Sequence, residues 1–596
     1  MKKIYLLAVA LAGTLLTSCS DFLDKVPLVV PSSETFLTNQ SAVTNYVNGL
    51  YIALPSAGAY GMGIMGEEKN SDNMVAMVYD RRMNGELQES IGGVTEWQKG
   101  YQNLRSVNYF LEYYKVPAAE ETAEVLSLKG EAYFFRAYWH YYLLTKFGSI
   151  PVMDKFWDGN ATVGGLQIPA RDRSAVAQFI LDDLKPAKEL LYSRSKYQGL
   201  RICKEAAMVM AMRVALFEGT WEKYHKGTDF AAAEYKSDDF LQQVLTLGDE
   251  LFQMGITLNT KENDKSVKNI DDAYGNLFNS KDLSATQEVL FWKKYSIADN
   301  LVHSLNTNLS SGMCDAEGPA GLSQSLVDNY LSVDGNFIDP TAAKFKDFNE
   351  SFKDRDGRLL ATVMHSDCKY KSMTVKGAKK MLVKAYSEED KDLINPPQIV
   401  STGNQSNTTG YHIRMGIDTT FVSGQGETAT PMIRYAEALL AYAEAAEELG
   451  KCDAAVLEKT IKPLRERAGV TYLAPSAIDP NFPDFGYTIS ANLQEIRRER
   501  RSELPLQGMR LDDLMRWRAH EVFANKRPKG FYFNQSEFPE MVPDKDVYLD
   551  ENGYVDPYQV SLPEGYKFNP NRDYLLPLPT TELVLNTNLK QNPGWK

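Results

Sequence analysis

One helical pattern restricts this chain more than any other feature: apolar faces that return in pairs, with small residues at the contact points. Between about Glu121 and Lys146, Leu128, Ala132, Phe135, Trp139 and Tyr142 follow the i, i+4, i+7 spacing that puts side chains on one face of a helix. Gly148 stops that helix and Pro151 keeps it from resuming. An earlier amphipathic stretch, Glu96 to Tyr114, carries Trp97, Tyr101, Leu104, Asn108 and Leu111. The pattern returns after Ser174, the expected N-cap, with Val176, Phe179, Ile180, Leu184 and Leu190. It returns again from near Lys204, with Ala206, Met210, Val214, Phe217 and Trp221. A weaker pair is expected at Ala231 to Tyr235 and Phe240 to Met254, and a downstream pair at Pro431 to Leu449 and Asp453 to Ala468. In the last of these, Ala436, Leu439, Leu440, Ala443 and Ala446 line a small-residue face. Such pairs resemble tetratricopeptide repeats with a stretched period; none can bury its face alone, so they stack. Periodicity leaves a generic α-bundle open as the competing arrangement.

The expected fold is therefore mostly α: a tetratricopeptide-like, superhelical helix-pair scaffold with a long irregular insertion containing short strands. The expected segments are 1–18 as a lipoprotein signal, 19–95 as tether and loops, and 96–255 as helix pairs. They continue with 256–430 as the irregular insertion and region of ligand binding, 431–527 as a helix pair plus Arg/Glu-rich helices, and 528–596 as an irregular end. The insertion is rich in Asn, Ser, Thr, Gly and Asp, with short apolar runs at Glu288 to Trp292 and Lys380 to Lys384. Long irregular segments on a rigid scaffold are where binding sites usually sit.

The first residues carry an address. Lys2 and Lys3 precede an uncharged run, Ile4 to Leu16, too short to be a permanent membrane span. Leu16-Thr17-Ser18-Cys19 resembles a lipobox, which implies lipid attachment at Cys19; two or three acyl chains hold a protein firmly where one does not. The competing reading is an ordinary cleaved signal. Past it, a 43% apolar composition allows a large core, and a net charge of −13 opposes nucleic-acid binding. Cys203, Cys314, Cys368 and Cys452 form no CxxC pair, and Cys203 and Cys452, at or near helix starts, are expected to be free thiols.

No enzyme motif survives inspection. Gly61 to Gly66 fits a dinucleotide-binding glycine pattern literally, without the preceding strand or following apolar helix that would give it meaning. The six His residues have no metal-ligand spacing, and no carboxylate pair stands out. No enzyme activity and no cofactor are expected; bound calcium is not readable from the sequence.

Several separated motifs resemble the SusD-like (RagB/SusD) outer-membrane lipoproteins of Bacteroidota. They begin with Cys19 to Asp24 and Lys129 to Tyr138, the latter continuing to Lys146-Phe147-Gly148-Ser149-Ile150-Pro151-Val152. Arg355-Asp356-Gly357-Arg358 resembles the family's Arg-Asp-Pro-Arg turn, with Gly357 in place of Pro. Ile433 to Leu440 with Ala443-Glu444-Ala445, Ile496 to Leu504, Gly508 to Trp517, Leu575 to Pro579 and Gln591 to Trp595 complete the set. The resemblance implies a surface-exposed protein that captures oligo- or polysaccharide and hands it to a SusC-like TonB-dependent outer-membrane transporter. Peptide or glycopeptide capture is the alternative, and a surface glycan hydrolase a further one. Arg497, Arg501 and Glu503 read as buried ion pairs joining the C-terminal segment to the repeats, against an anion-binding patch.

Pyranose rings present C–H faces that stack on aromatic rings, while their hydroxyls need amide, carboxylate or guanidinium partners; the chain has 33 Tyr and 7 Trp. Family ligand sites use loops around the first repeat and in the insertion. That directs attention to Asn70 to Tyr79 with Arg81 and Arg82, and to Trp292, Tyr295, His303, Asn306 and Asn308. The candidate ligand-binding residues are Asn73, Tyr79, Arg81, Trp292, Tyr295 and Asn306. Against them, Trp97 keeps core register, Trp292 follows an apolar run that could face inward, and Asn306 and Asn308 read more readily as plain loop amides than as sugar ligands. Tyr79 has the best claim to exposure.

Overall fold

The computed structural model describes residues 36–56, 62–89, 94–157, 167–311, 313–315, 318–365, 407–418, 424–536 and 542–596. Cys19 with its leader, Gly61, Cys368 and the run Lys380 to Lys384 lie outside them.

The expected helix pairs form and stack. Helix α1 (Gln40–Leu50) and α2 (Thr95–Tyr113) precede α3 (Ala123–Phe147). Thr122 opens α3 by accepting the Val125 N–H at 3.3 Å. Gly148 closes it at φ 69°, a left-handed conformation that glycine reaches without cost, and returns its N–H to Leu144 O. Next come α4 (Arg173–Leu190), α5 (Lys204–Tyr224) and α6 (Ser237–Phe252). Asp172, rather than Ser174, caps α4: its Oδ1 accepts the Ser174 N–H at 3.2 Å while Ser174 is buried. Residues 231–235 form no helix. The Ala233 N–H goes to the Asp172 carboxylate at 2.9 Å and Phe230 O takes the Trp221 indole at 3.0 Å, so their neighbours outcompete a local helical turn.

The insertion contributes α7 (Asp272–Asn279), α8 (Leu305–Ser311), α9 (Gln324–Asn329) and α10 (Gly357–Thr362), and the described residues hold five short strands. Strand β1 (Met74–Ala76) pairs antiparallel with β4 (Gly318–Leu322), which also pairs with β3 (Met313–Asp315). Strand β2 (Val289–Lys293) pairs antiparallel with β5 (Thr430–Arg434), Trp292 lying opposite Pro431. Pro431 to Arg434 is thus strand, and the helix expected from Pro431 starts only at Tyr435. Four helices follow: α11 (Tyr435–Glu448), α12 (Ala454–Arg467), α13 (Ala491–Glu503) and α14 (Arg510–Arg516). A short α15 (Thr580–Leu585) comes near the end.

Two large hydrophobic cores result among the described residues, with a small third cluster of Leu331, Ala468 and Val470. The larger runs through α2 to α6, α11 and α13 and takes in Tyr574, Leu575 and Leu578 from the C-terminal segment. The second unites Met62 to Ala76, the insertion and Phe531 to Val555, so segments distant in sequence share one interior. Between the cores lies a buried ionic cluster. Glu503 accepts from Arg434 at 2.9 Å and Arg358 at 3.0 Å, and pairs with Arg467. Glu288 takes Arg434 at 2.7 Å and Arg467 at 3.0 Å, while Glu499 takes Arg465 at 3.0 Å. Insertion, repeat helices and α13 are thereby fixed to one another.

Candidate functional site

The surface loop that follows β1 is assembled from both ends of the chain. Asp80 starts its turn, accepting the Met83 N–H at 2.8 Å, and the Glu86 N–H returns to Arg81 O at 2.8 Å. Buried Arg82 ties the loop down, donating to Asp573 O at 2.8 Å and Tyr574 O at 2.7 Å. Arg572 reciprocates onto Gly85 O at 2.6 Å, and the Lys567 N–H onto Asn84 at 3.0 Å. A rigid frame therefore presents the residues between.

What it presents is an aromatic edge with polar groups beside it. Tyr79 is half-buried, its ring edge-on to Tyr558 at 6.1 Å, and Tyr558 anchors itself through a 2.6 Å bond to Ala76 O. The Tyr79 hydroxyl donates to the exposed Glu86 carboxylate at 3.2 Å, and exposed Arg81 donates to Glu86 O at 3.1 Å. Desolvation, then Glu86, raises the Tyr79 phenol above its usual range, so it stays a donor. Met77 and Val78, 57% and 55% exposed, stand beside it.

The remaining candidates divide. Tyr295 is half-buried with its ring edge-on to His303 at 4.4 Å, on a two-stranded turn closed by Ser296 and Leu301. Three candidates are corrected to interior roles. Asn73 is buried, donating to Glu68 at 2.7 Å and accepting from Arg501 at 2.8 Å. Trp292 is buried because β2 pairs on one side and Gly199 approaches on the other; its indole donates to Gln198 O at 2.8 Å. Asn306 is buried, donating to Gly416 O at 2.5 Å and accepting from Thr428 at 2.9 Å. Their polar atoms are used in holding the second core together.

Glu86 and Tyr558 complete the Tyr79 edge and were not anticipated. Glu86 sits in plain view seven residues from Tyr79, but Tyr558 comes from an irregular segment with no periodicity to announce it. Arg497 and Arg501, candidates for ion pairs, are both buried. Arg497 bonds Tyr224 at 2.8 Å and so meets the repeats as expected, whereas Arg501 grips Asp72 and Ser325 instead. Neither leaves an open anion patch. Cys203 and Cys452 are free thiols, Cys203 buried at the start of α5.

The architecture and its motifs have close parallels. The family model described as "SusD family" matches residues 287–595, more than half of the chain, and one described as "Starch-binding associating with outer membrane" matches 21–216. This chain belongs to the SusD family. The curated SusD-like protein P2 of Formosa agariphila is 24% identical over 611 residues, covering all of both chains. A solved SusD-like carbohydrate binding protein of Bacteroides fragilis NCTC 9343 superposes with a TM-score of 0.69 at 21% identity, covering 94% of this chain and all of that one. A laminarin binding SusD-like protein does so with a TM-score of 0.54 at 18% identity, over 94% and 100% of the two chains.

Proposed function

We propose that this protein is a non-enzymatic, lipid-anchored glycan receptor of the outer-membrane surface, held by Cys19, that passes saccharide to a SusC-like TonB-dependent transporter. Membership of the SusD family carries the reading, and relatives whose names record carbohydrate or laminarin binding support it. The Tyr79 loop is the proposed contact. Its ring offers a face for a pyranose, Glu86 and Arg81 offer acceptor and donor for sugar hydroxyls, and the frame around Arg82 holds them in place. Preorganisation of this kind spares a binding protein the entropy of ordering its loops. Tyr295, half-exposed on its own turn, is proposed as a further contact.

Two measurements test the proposal. Titrating the purified protein with plant, host and microbial glycans should give saturable binding to at least one class, with no product released; silence across the panel would overturn it. Mild detergent extraction should recover the protein with a large outer-membrane transporter, and recovery alone under several mild conditions would remove the partner from the account.

A further inference from the structure

The outer side of α2 carries a row of rings that the helix-pair core leaves half-exposed. Tyr109 and Tyr113, one turn apart, have centroids 4.7 Å apart, and Tyr46 of α1 stacks on Tyr109 at 5.7 Å with planes inclined by 16°. The segment after Pro151 brings Phe156 edge-on to both, at 5.3 Å from Tyr109 and 5.7 Å from Tyr113. That segment is fastened from below. Asn108 donates to Met153 O at 2.8 Å, Arg136 to Asp154 O at 2.8 Å, Tyr101 to Pro151 O at 2.9 Å, and Arg105 to Trp157 O. The row is therefore a rigid surface.

Charge singles it out further. Arg105 lies over the Phe156 ring at 4.6 Å and Lys155 over the Trp157 ring at 4.6 Å, and both cations are exposed. Among the described residues neither has a carboxylate within ion-pair distance, although the chain as a whole carries a net charge of −13. Among the described residues the Tyr109 and Tyr113 hydroxyls make no hydrogen bond, and the buried Trp157 indole N–H has no acceptor. Ring faces, phenols and two cations without a carboxylate partner among the described residues are together what an acidic sugar would require: C–H faces on the rings, hydroxyls on the phenols, an anionic group on Arg105 and Lys155.

We propose that this row is a second saccharide platform, separate from the Tyr79 loop, and that it takes sugars bearing a carboxylate or a sulfate. The inference rests on the glycan-binding reading but not on the Tyr79 site. Its test uses the purified protein titrated with polygalacturonate, κ-carrageenan and neutral laminarin, at low and at physiological salt. The wild-type chain should bind at least one of the two acidic polymers, more weakly as salt rises, and the pair separates carboxylate from sulfate recognition. Arg105→Gln with Lys155→Gln, two exposed positions, should cost about tenfold in that affinity (~1.4 kcal/mol) and remove most of its salt dependence. Tyr109→Ala with Tyr113→Ala should weaken it as well. The proposal is overturned if neither acidic polymer binds, or if the Gln pair binds them as the wild type does. Binding of neutral glycans alone would end this inference only; binding of no glycan at all would end the receptor reading with it.

Discussion

Arg510 holds Asp72 in a two-pronged grip, Nε to Oδ1 at 2.7 Å and Nη2 to Oδ2 at 2.9 Å, across 438 residues of chain. Arg501 adds a third contact to the same carboxylate at 3.0 Å. The arrangement nails the segment that leads into β1 and the Tyr79 loop onto α13 and α14. Removing Asp72 would leave two buried guanidiniums without their carboxylate, and loss of a buried partner typically costs about 3–5 kcal/mol. Asp72→Ala should lower the unfolding free energy by about that amount, measured by urea denaturation, and Arg510→Ala by less, because Arg501 still holds Asp72; most of the Arg510 effect should vanish in the double variant.

The same carboxylate predicts an acid limit. Burial works to raise Asp72, but the Arg501 and Arg510 guanidiniums overcome it and bring the carboxyl from 3.8 to about 2. A group held lower in the folded state contributes stability above its unfolded value and loses it as pH falls through its folded value. Glu503 and Glu444 are likewise brought to about 2, against their own burial, by Arg467 and by Arg516 respectively. The melting temperature should therefore fall steeply between about pH 4 and pH 2, and Asp72→Asn should flatten part of that fall.

Glu68 works in the opposite direction. Burial, only partly offset by the Asn73 amide, pushes its carboxyl from 4.5 up to about 7. A raised acid contributes most below its unfolded value, and that contribution is lost as pH rises through the folded value, here from about 4.5 to about 7. Glu68→Gln keeps an oxygen for Asn73 without the buried charge. It should melt higher than the wild type above about pH 7 and show little advantage below about pH 5; an equal gain at both would refute the assignment.

Gly357 shows why one family motif departs from its pattern here. Its N–H donates to Ala468 O at 2.9 Å, a bond that proline could not make, and an added Cβ would stand 2.4 Å from Ile270 O. Backbone rather than a flexible side chain blocks the space. Gly357→Ala should cost about 1–3 kcal/mol of stability in denaturant unfolding, and Gly357→Pro at least as much.

The helix pairs were legible in the sequence because each buries one face, and that leaves a period; α2 and α3 begin and end within two residues of expectation, and α5 begins at Lys204 as expected. The strand Thr430–Arg434 was hidden since it runs directly into α11 and shares its apolar character. The candidate site was legible only in part. Tyr79 and Arg81 stood out by lying in an expected loop with Val78 and Asp80, while Asn73 and Asn306 looked the same as surface amides. Their burial depends on Arg501 and Thr428, partners that no local pattern names. Tyr558 reaches Tyr79 only through the folding of an aperiodic C-terminal segment, and the Tyr109–Phe156 contact joins a helix to a loop in the same way.

Cys19 gives a prediction for the cell. If it carries the lipid, Cys19→Ala should leave glycan affinity in solution intact and abolish retention at the surface, read by fractionation and surface labelling. Normal surface levels of the variant would show that something else retains the protein.

Receptor function at the Tyr79 loop is tested most directly by comparing wild type with Tyr79→Ala against a neutral glycan that the wild type binds, by isothermal titration. Loss of a central stacking ring typically costs about 2 kcal/mol or more, so affinity should fall by at least tenfold while the melting temperature stays within a few degrees of wild type. Undiminished affinity in a folded Tyr79→Ala protein would contradict the account and move the contact elsewhere on the molecule.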